Sequence, residues 1–351
     1  MKIKITVLII LAFIGTALYA QAIDKPAATV RLYKLEVISA TQFASKVKSF
    51  ELQARRPLTK AEKQKLLDTM IGEILISQSA EKEHISVTEA EIRSRLDLAK
   101  KTGGVGLRLN RALTDQELKT LVRQSGISWD LYQKEIRKVI LEQKYIMIKK
   151  RSMFTGIKEP TEQEIQDFYD ENKTLVVSPE MVRFQHIFID TRSLKSSAER
   201  KKARERAEEV AQELRNGASF DDLVVKFSDD KASRYSGGDF GYLRRDDAAR
   251  KQLLGRNFFD SIFKMKPGQI SGVLESNIGF HIVRIVKIIP FKVLNLDDKV
   301  PPQNKVTVRQ QIKSTLYQNK QAEVFQRALY SVINDLKKKA EIKIFEKNIA
   351  W

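Results

Sequence analysis

Leu274-Glu275-Ser276-Asn277-Ile278-Gly279-Phe280-His281-Ile282-Val283-Arg284-Ile285 is the stretch on which the fold turns. It reads as a hairpin turning near Asn277 and Gly279, with His281 on its second strand. A second histidine, His186, is embedded in an earlier strand, Met181-Val182-Arg183-Phe184-Gln185-His186-Ile187-Phe188-Ile189. Between the two lies a charged helix from about Ala198 to Arg215, ending at Asn216-Gly217. Next come Ser219-Phe220-Asp221-Asp222-Leu223 and Phe227-Ser228-Asp229-Asp230-Lys231-Ala232-Ser233. Gly237-Gly238-Asp239-Phe240-Gly241-Tyr242 leads into another strand, and Phe258 to Met265 reads as a short amphipathic helix closed by Lys266-Pro267-Gly268-Gln269-Ile270-Ser271. A lone histidine in a strand is an ordinary core or surface residue; the ordered series of pieces is what carries information.

That series resembles the parvulin family of peptidyl-prolyl isomerases. The pieces are the strand histidine, the helix, the run Ser228, Asp230, Ser233, the Gly-Gly-Asp-Phe-Gly turn, Pro-Gly-Gln-Ile-Ser, and the closing Gly-Phe-His-Ile-Val. The resemblance implies an α+β fold, a four-stranded, mainly antiparallel sheet with helices around it, over residues 179–290. It also implies that His186 and His281 lie side by side on neighbouring strands, with Asp230 at the position that is cysteine or aspartate across the family. Phe240, Leu254 and Phe258 fall where the family places an apolar cup for the proline ring. Alternation alone does not say whether Phe258 or its neighbour Phe259 faces that cup. The chemistry is modest: rotation about an X-Pro bond faces a barrier of about 18–20 kcal/mol set by amide resonance, and no bond is broken. A site that binds the twisted amide better than either planar form suffices. The resemblance implies no cofactor and no metal. The paired histidines are assigned a hydrogen-bonded network and Asp230 an electrostatic role; the competing reading is that the histidines only stabilise the sheet.

Before this unit, the chain reads as helices. Thr59 with Glu62, Thr88 with Glu91 and Thr114 with Glu117 are capping boxes. The first opens a helix through Glu83, with Leu66, Leu67, Met70, Ile71, Ile74, Leu75 and Gln78 on its buried face. The second runs through Ala99, and Gly103-Gly104-Val105-Gly106 is expected to be a mobile loop. Ser128 starts a helix to about Met153, and Thr161 another to about Glu171. Thr29 to Ile38 alternates as a half-buried strand, with Ser39 or Thr41 capping the helix after it. After the unit come a breaker, Pro301-Pro302, a helix from about Val306 to Lys339 with an apolar stripe, and an alternating tail, Glu341 to Phe345. The tail needs a sheet neighbour, for which Thr29 to Ile38 is a candidate.

Lys2 and Lys4 precede an apolar run, Ile5 to Leu18, and Ala20-Gln21-Ala22. The run is shorter than the roughly 20 residues of a spanning helix and fits a signal peptide, residues 1–22, cleaved after Ala22 or else Ala20. The alternative is an uncleaved anchor. Signal peptide, helical region (23–178), parvulin unit (179–290) and C-terminal helix with its short strand (291–351) resemble the SurA and PrsA class of extracytoplasmic foldases. In that class the N-terminal region and last helix form a chaperone module with the isomerase inserted between them. The expected location is the periplasm, and the expected partners are unfolded or extended proline-containing polypeptides.

The chain has no cysteine, so thiol catalysis and disulfides are excluded, and its three histidines make a zinc site improbable. Lys and Arg outnumber Asp and Glu by 63 to 44, a formal charge of +19. That excess is scattered along helices, so it is read as a preference for acidic clients or weak association with an anionic membrane, not as a nucleic-acid site. Two departures from the family pattern stand out. Residues Arg244 to Lys251 extend the lip of the site, and Gly255 occupies a position commonly glutamine. The stretch Asp190-Thr191-Arg192-Ser193-Leu194-Lys195 has too few cations for phosphate recognition. The altered lip keeps open a second reading, a peptide-binding holdase with a weak or inactive isomerase unit.

Overall fold

The computed structural model describes residues 24–106, 112–349 and 351. The signal-peptide reading of residues 1–22 lies outside them. None of the described helices is long and apolar enough to cross a membrane. The chain divides into two compact units, one made of the residues up to Lys158 together with Asn319–Trp351, the other of Glu159–Gln318.

In the first unit the segment expected to be one strand is two. Strands β1 (Pro26–Arg31) and β2 (Leu35–Ser39) form an antiparallel hairpin. The turn at residues 32–34 is held from outside: the Gln78 side-chain carbonyl accepts from the backbone N–H groups of Leu32 and Tyr33 at 3.1 and 3.0 Å, and its amide donates to the Lys34 carbonyl at 2.8 Å. Gln78, placed by its spacing on an apolar face, is only 2% exposed, and the turn's backbone is what satisfies it. Five helices with prominent polar caps follow: α1 (Ala40–Ala54, capped by Ser39), α2 (Lys60–Lys82), α3 (Glu89–Gly106), α4 (Asp115–Gln124) and α5 (Trp129–Lys149). Three of the boxes read from sequence are formed, with Thr59, Thr88 and Thr114 each exchanging hydrogen bonds with the glutamate three residues on.

Two expectations are corrected here. The Gly103 to Gly106 stretch is the end of α3, not a loop: a Cβ on Gly103 would lie 2.5 Å from Leu113 Cδ1, so the bare glycine lets that leucine seat against the helix. The helix after Ser128 stops at Lys149, because Lys150 leaves the helical region (φ −122°, ψ 34°), and a short helix α6 (Arg151–Thr155) follows.

The second unit starts with α7 (Glu162–Asn172) and strand β3 (Val177–Ser178). Its sheet comprises β4 (Met181–Asp190), β5 (Asp239–Arg244), β6 (Leu274–Ser276) and β7 (Gly279–Ile289), in the order β5-β4-β7-β6 and antiparallel throughout. The α+β class and the four-stranded sheet follow as expected. Strand alternation sorts β4 into two faces. Ile187 and Ile189 pack with α8 (Ser197–Arg215) and α9 (Phe220–Phe227). Val182 and Phe184 pack on the opposite face with α10 (Ala248–Leu254) and α11 (Arg256–Ile262). On β7 the same division gives Phe280 and Ile282 to the first layer and Val283 and Ile285 to the second. His186 and His281 therefore share the face that carries α10 and α11.

Strand β8 (Lys292–Val293) pairs with β3. Helix α12 (Val308–Lys337) begins in the second unit and ends in the first. Strand β9 (Glu341–Ile344) then pairs antiparallel with β1, Ala28 opposite Ile344 and Arg31 opposite Glu341, which supplies the sheet neighbour the tail required.

Candidate functional site

The register of the central pair sets Phe188 opposite His281 and Val283 opposite His186, so the two histidines are diagonal neighbours on one sheet face. They are 4% and 1% exposed, and their Nδ1 atoms are 3.2 Å apart. The loop after α9 carries Asp230 to them. Its path is fixed by the backbone of β4: the Ser228 hydroxyl accepts from Phe188 N–H at 3.2 Å, and Asp229 N–H donates to the Phe188 carbonyl at 2.7 Å. Asp230 Oδ2 then lies 3.1 Å from His186 Nε2 and accepts a short hydrogen bond from Ser233 Oγ, while Oδ1 accepts from Ala232 N–H at 3.1 Å. The glycine turn closes the far side. His186 N–H donates to the Gly238 carbonyl at 2.9 Å, and a Cβ on Gly238 (φ +73°) would lie 2.4 Å from the His186 carbonyl oxygen. No side chain fits there.

Ser276 completes the chain, and pattern reading had given it no role. Its hydroxyl lies 2.8 Å from His281 Nε2 and accepts from the Ile278 and Gly279 N–H groups, both at 3.2 Å. A hydroxyl has one proton and two acceptor sites. The Ser276 proton has two acceptors in reach, His281 Nε2 at 2.8 Å and the Gly279 carbonyl at 3.1 Å. The direction comes from the other end: the Asp230 carboxylate only accepts, so His186 donates to it through Nε2–H, leaving His186 Nδ1 to accept from His281 Nδ1–H and His281 Nε2 to accept from Ser276. All four groups are then satisfied in one direction. The electrostatics agree. The His186 hydrogen bond, helped by Ser233, holds Asp230 well below the usual carboxylate range against the opposing effect of partial burial. Burial pushes His281 well below the ordinary histidine value, the neighbouring His186 adds to it, and Asp230 opposes it.

The predicted cup residues gather in one apolar cluster with Phe184, Val283 and Ile285. Phe240 stacks on Phe184 (4.5 Å between centroids, 16° between planes) and meets the edge of His186 at 5.4 Å. Phe258 lies 4.4 Å from the His281 ring, whereas Phe259 turns to Phe263, so of the two it is Phe258 that lies beside the paired histidines. Leu254 and Phe258 are 1% and 2% exposed; only Phe240 is half-buried. Gly255 has φ +85° and joins α10 to α11, with the Asn277 side chain against it. Phe188, stacked on His281 at 4.7 Å, also went unassigned from sequence. A cavity of about 640 Å³ is lined by Leu254, Phe258 and Ser276 together with Arg200, Arg256 and Asn277. Arg192, the one arginine after the first histidine strand, is held by its own neighbour Asp190. No group of metal-ligating residues is present among the described residues.

Residues 170–288 match the model of the PPIC-type PPIase domain. This unit is a PPIC-type PPIase domain. Residues 1–146 match the SurA-like N-terminal domain, so the PPIase domain follows a SurA-like region. Chaperone SurA of Alcanivorax borkumensis is 27% identical over 224 residues, 64% of this chain and 47% of the relative. Foldase protein PrsA of Clostridium kluyveri is 24% identical over 292 residues, 83% of this chain and 76% of the relative. The chain thus spans about half the length of the SurA relatives it matches and about two thirds to three quarters of the PrsA relatives. Among solved structures, a SurA-like chaperone of Campylobacter jejuni covers 88% of this chain and 97% of its own at 20% identity, with a TM-score of 0.33.

Proposed function

We propose that this chain is an exported peptidyl-prolyl cis-trans isomerase and chaperone, acting in the periplasm on unfolded, proline-containing polypeptides. The observation that carries the reading is the one-directional chain Ser276, His281, His186, Asp230 beside Phe240, within a PPIC-type PPIase domain. A planar amide places negative charge on its oxygen by resonance. A carboxylate fixed beside that oxygen disfavours the planar forms more than the twisted one, which lowers the rotation barrier. In this reading Asp230 supplies the charge, His186 and His281 fix its position, and Phe240 with Leu254 and Phe258 receives the proline ring. The division into signal peptide (1–22), SurA-like region (23–178), isomerase (179–290) and C-terminal helix and strand (291–351) belongs to the same proposal.

A second reading, a holdase with little turnover, draws support from the near-complete burial of Leu254 and Phe258. Isomerisation of a short unphosphorylated X-Pro peptide separates the two. Acceleration by the wild type, reduced about tenfold or more in folded Asp230→Ala and His281→Ala variants, is the expected result. Absence of acceleration, with aggregation of an unfolded client still suppressed, selects the holdase.

A further inference from the structure

The extended lip folds back onto the site. Helix α10 opens on Asp247, whose carboxylate accepts from the Arg250 backbone N–H at 3.0 Å. The Arg250 side chain, one fifth exposed at 20%, donates from one guanidinium nitrogen to the Tyr242 carbonyl at 2.9 Å, and its Nε lies 3.7 Å from the Asp247 carboxylate. Its guanidinium carbon sits 5.0 Å from the centre of the Phe240 ring. Phe184 stacks on that ring and His186 meets it at 75°, and the guanidinium is the third group against it. A proline ring seated on Phe240 would meet the guanidinium there.

The geometry points to Arg250 as a specificity-determining residue, selecting proline segments that carry an acidic side chain beside the proline. This rests on the isomerase reading of the site. A proline ring and the guanidinium then compete for Phe240. An entering client that displaces the cation from the ring removes a stabilising contact, and a carboxylate close by can replace it. Asp230 cannot do so, because His186, Ser233 and Ala232 already hold it. A client carboxylate can, through the planar two-pronged pairing that arginine favours. A lysine in the same client position is repelled, and an alanine replaces nothing of the lost contact. Selection by competition has a signature that a purely structural arginine lacks: removing it raises turnover of neutral substrates while erasing charge discrimination.

The test compares Glu-Pro, Ala-Pro and Lys-Pro peptides, all unphosphorylated, measuring kcat/KM by NMR exchange and Kd from chemical shifts in the same samples. The wild-type chain is expected to favour Glu-Pro over Lys-Pro by roughly three- to tenfold at low salt, the ratio shrinking as salt is added. In Arg250→Ala the ratio falls towards one and Ala-Pro improves, while Arg250→Lys keeps the order with smaller amplitude. Equal values for the three peptides in the wild type, or a ratio that survives in Arg250→Ala, overturn the proposal. If Arg250→Ala does not fold, the wild-type salt dependence and Arg250→Lys decide. If no peptide is isomerised, the isomerase reading fails separately. The Kd order then judges Arg250 alone: graded by charge it stands, flat it falls.

Discussion

At the scale of single residues, the site is a problem of proton bookkeeping. The Asp230 carboxylate only accepts, so His186 donates to it through Nε2, and the chain runs back through His281 to the Ser276 hydroxyl, whose nearer acceptor is His281 Nε2 at 2.8 Å, the Gly279 carbonyl lying at 3.1 Å. His281 is consequently expected as the Nδ1–H tautomer, with His186 carrying a proton on Nε2, which ¹⁵N shifts of the imidazole rings report directly. A pH dependence follows. In the unfolded chain His281 takes up a proton near its usual value of about 6.5, whereas the buried folded form does not until well below it. Between those two values the unfolded state binds more protons, so stability rises with pH and is lost as pH falls below about 6.5. The slope from this one group is at most about 1.4 kcal/mol per pH unit. Urea unfolding at pH 7, 6 and 5 should show it, and His281→Phe should flatten it; an unchanged slope in that variant refutes the assignment.

At the scale of elements, the first unit depends on polar contacts that periodicity cannot reveal. Gln78 on α2 ties down the turn between β1 and β2 through three hydrogen bonds of 2.8 to 3.1 Å and also meets Glu36 at 3.0 Å. Gln78→Ala leaves that turn's backbone without its partner and should cost about 2–4 kcal/mol, counted as several lost bonds of about 1 kcal/mol each. Faster amide exchange at Leu32 and Tyr33 should accompany the loss. Between α2 and α5, Glu142 is pushed up to about 7 by burial and by the neighbouring Glu73. Burial raises Glu73 as well, against Lys46 on α1 and Lys138 on α5, while Glu135 on α5 adds to the rise. The sign is opposite to that at His281. The folded state holds the Glu142 proton that the unfolded chain releases near 4.5, so stability falls as pH rises from about 4.5 through 7. Glu142→Gln should therefore stabilise the chain by about 1–3 kcal/mol at pH 8 and by little at pH 4, as read from urea midpoints. Gly103 belongs to the same scale. Its bare backbone is legible as a helix breaker, but Leu113 packed against it reverses that reading.

At the scale of the whole molecule, the first unit is built from both parts of the chain. Strand β9 pairs with β1, Ile349 is buried in the same core, and Trp351 meets the ring of Phe43 at 6.2 Å. Deleting residues 341–351 uncovers β1 and removes that apolar contact. The expected loss is about 3 kcal/mol or more in the unfolding of this unit, followed by the fluorescence of Trp129, the tryptophan that remains. A midpoint unchanged by the deletion would show that the tail contributes nothing to the unit.

The sequence by itself determined the capped helices and the run of strands and turns, because alternation, capping and turn chemistry act over a few neighbouring residues; the isomerase fold class and the candidate residues His186, Asp230, His281, Phe240, Leu254 and Phe258 came from the resemblance to the parvulin family, carried by its ordered series of short motifs. It also marked the lip as unusual. The hairpin hidden in Thr29 to Ile38, the direction of the Ser276 chain, the seating of Phe258 rather than Phe259 beside His281 and the placing of Arg250 on Phe240 were decided only by tertiary structure. Each depends on which groups far apart in the chain come within hydrogen-bond or van der Waals reach, and a donor or an aromatic face has no local pattern that names its partner.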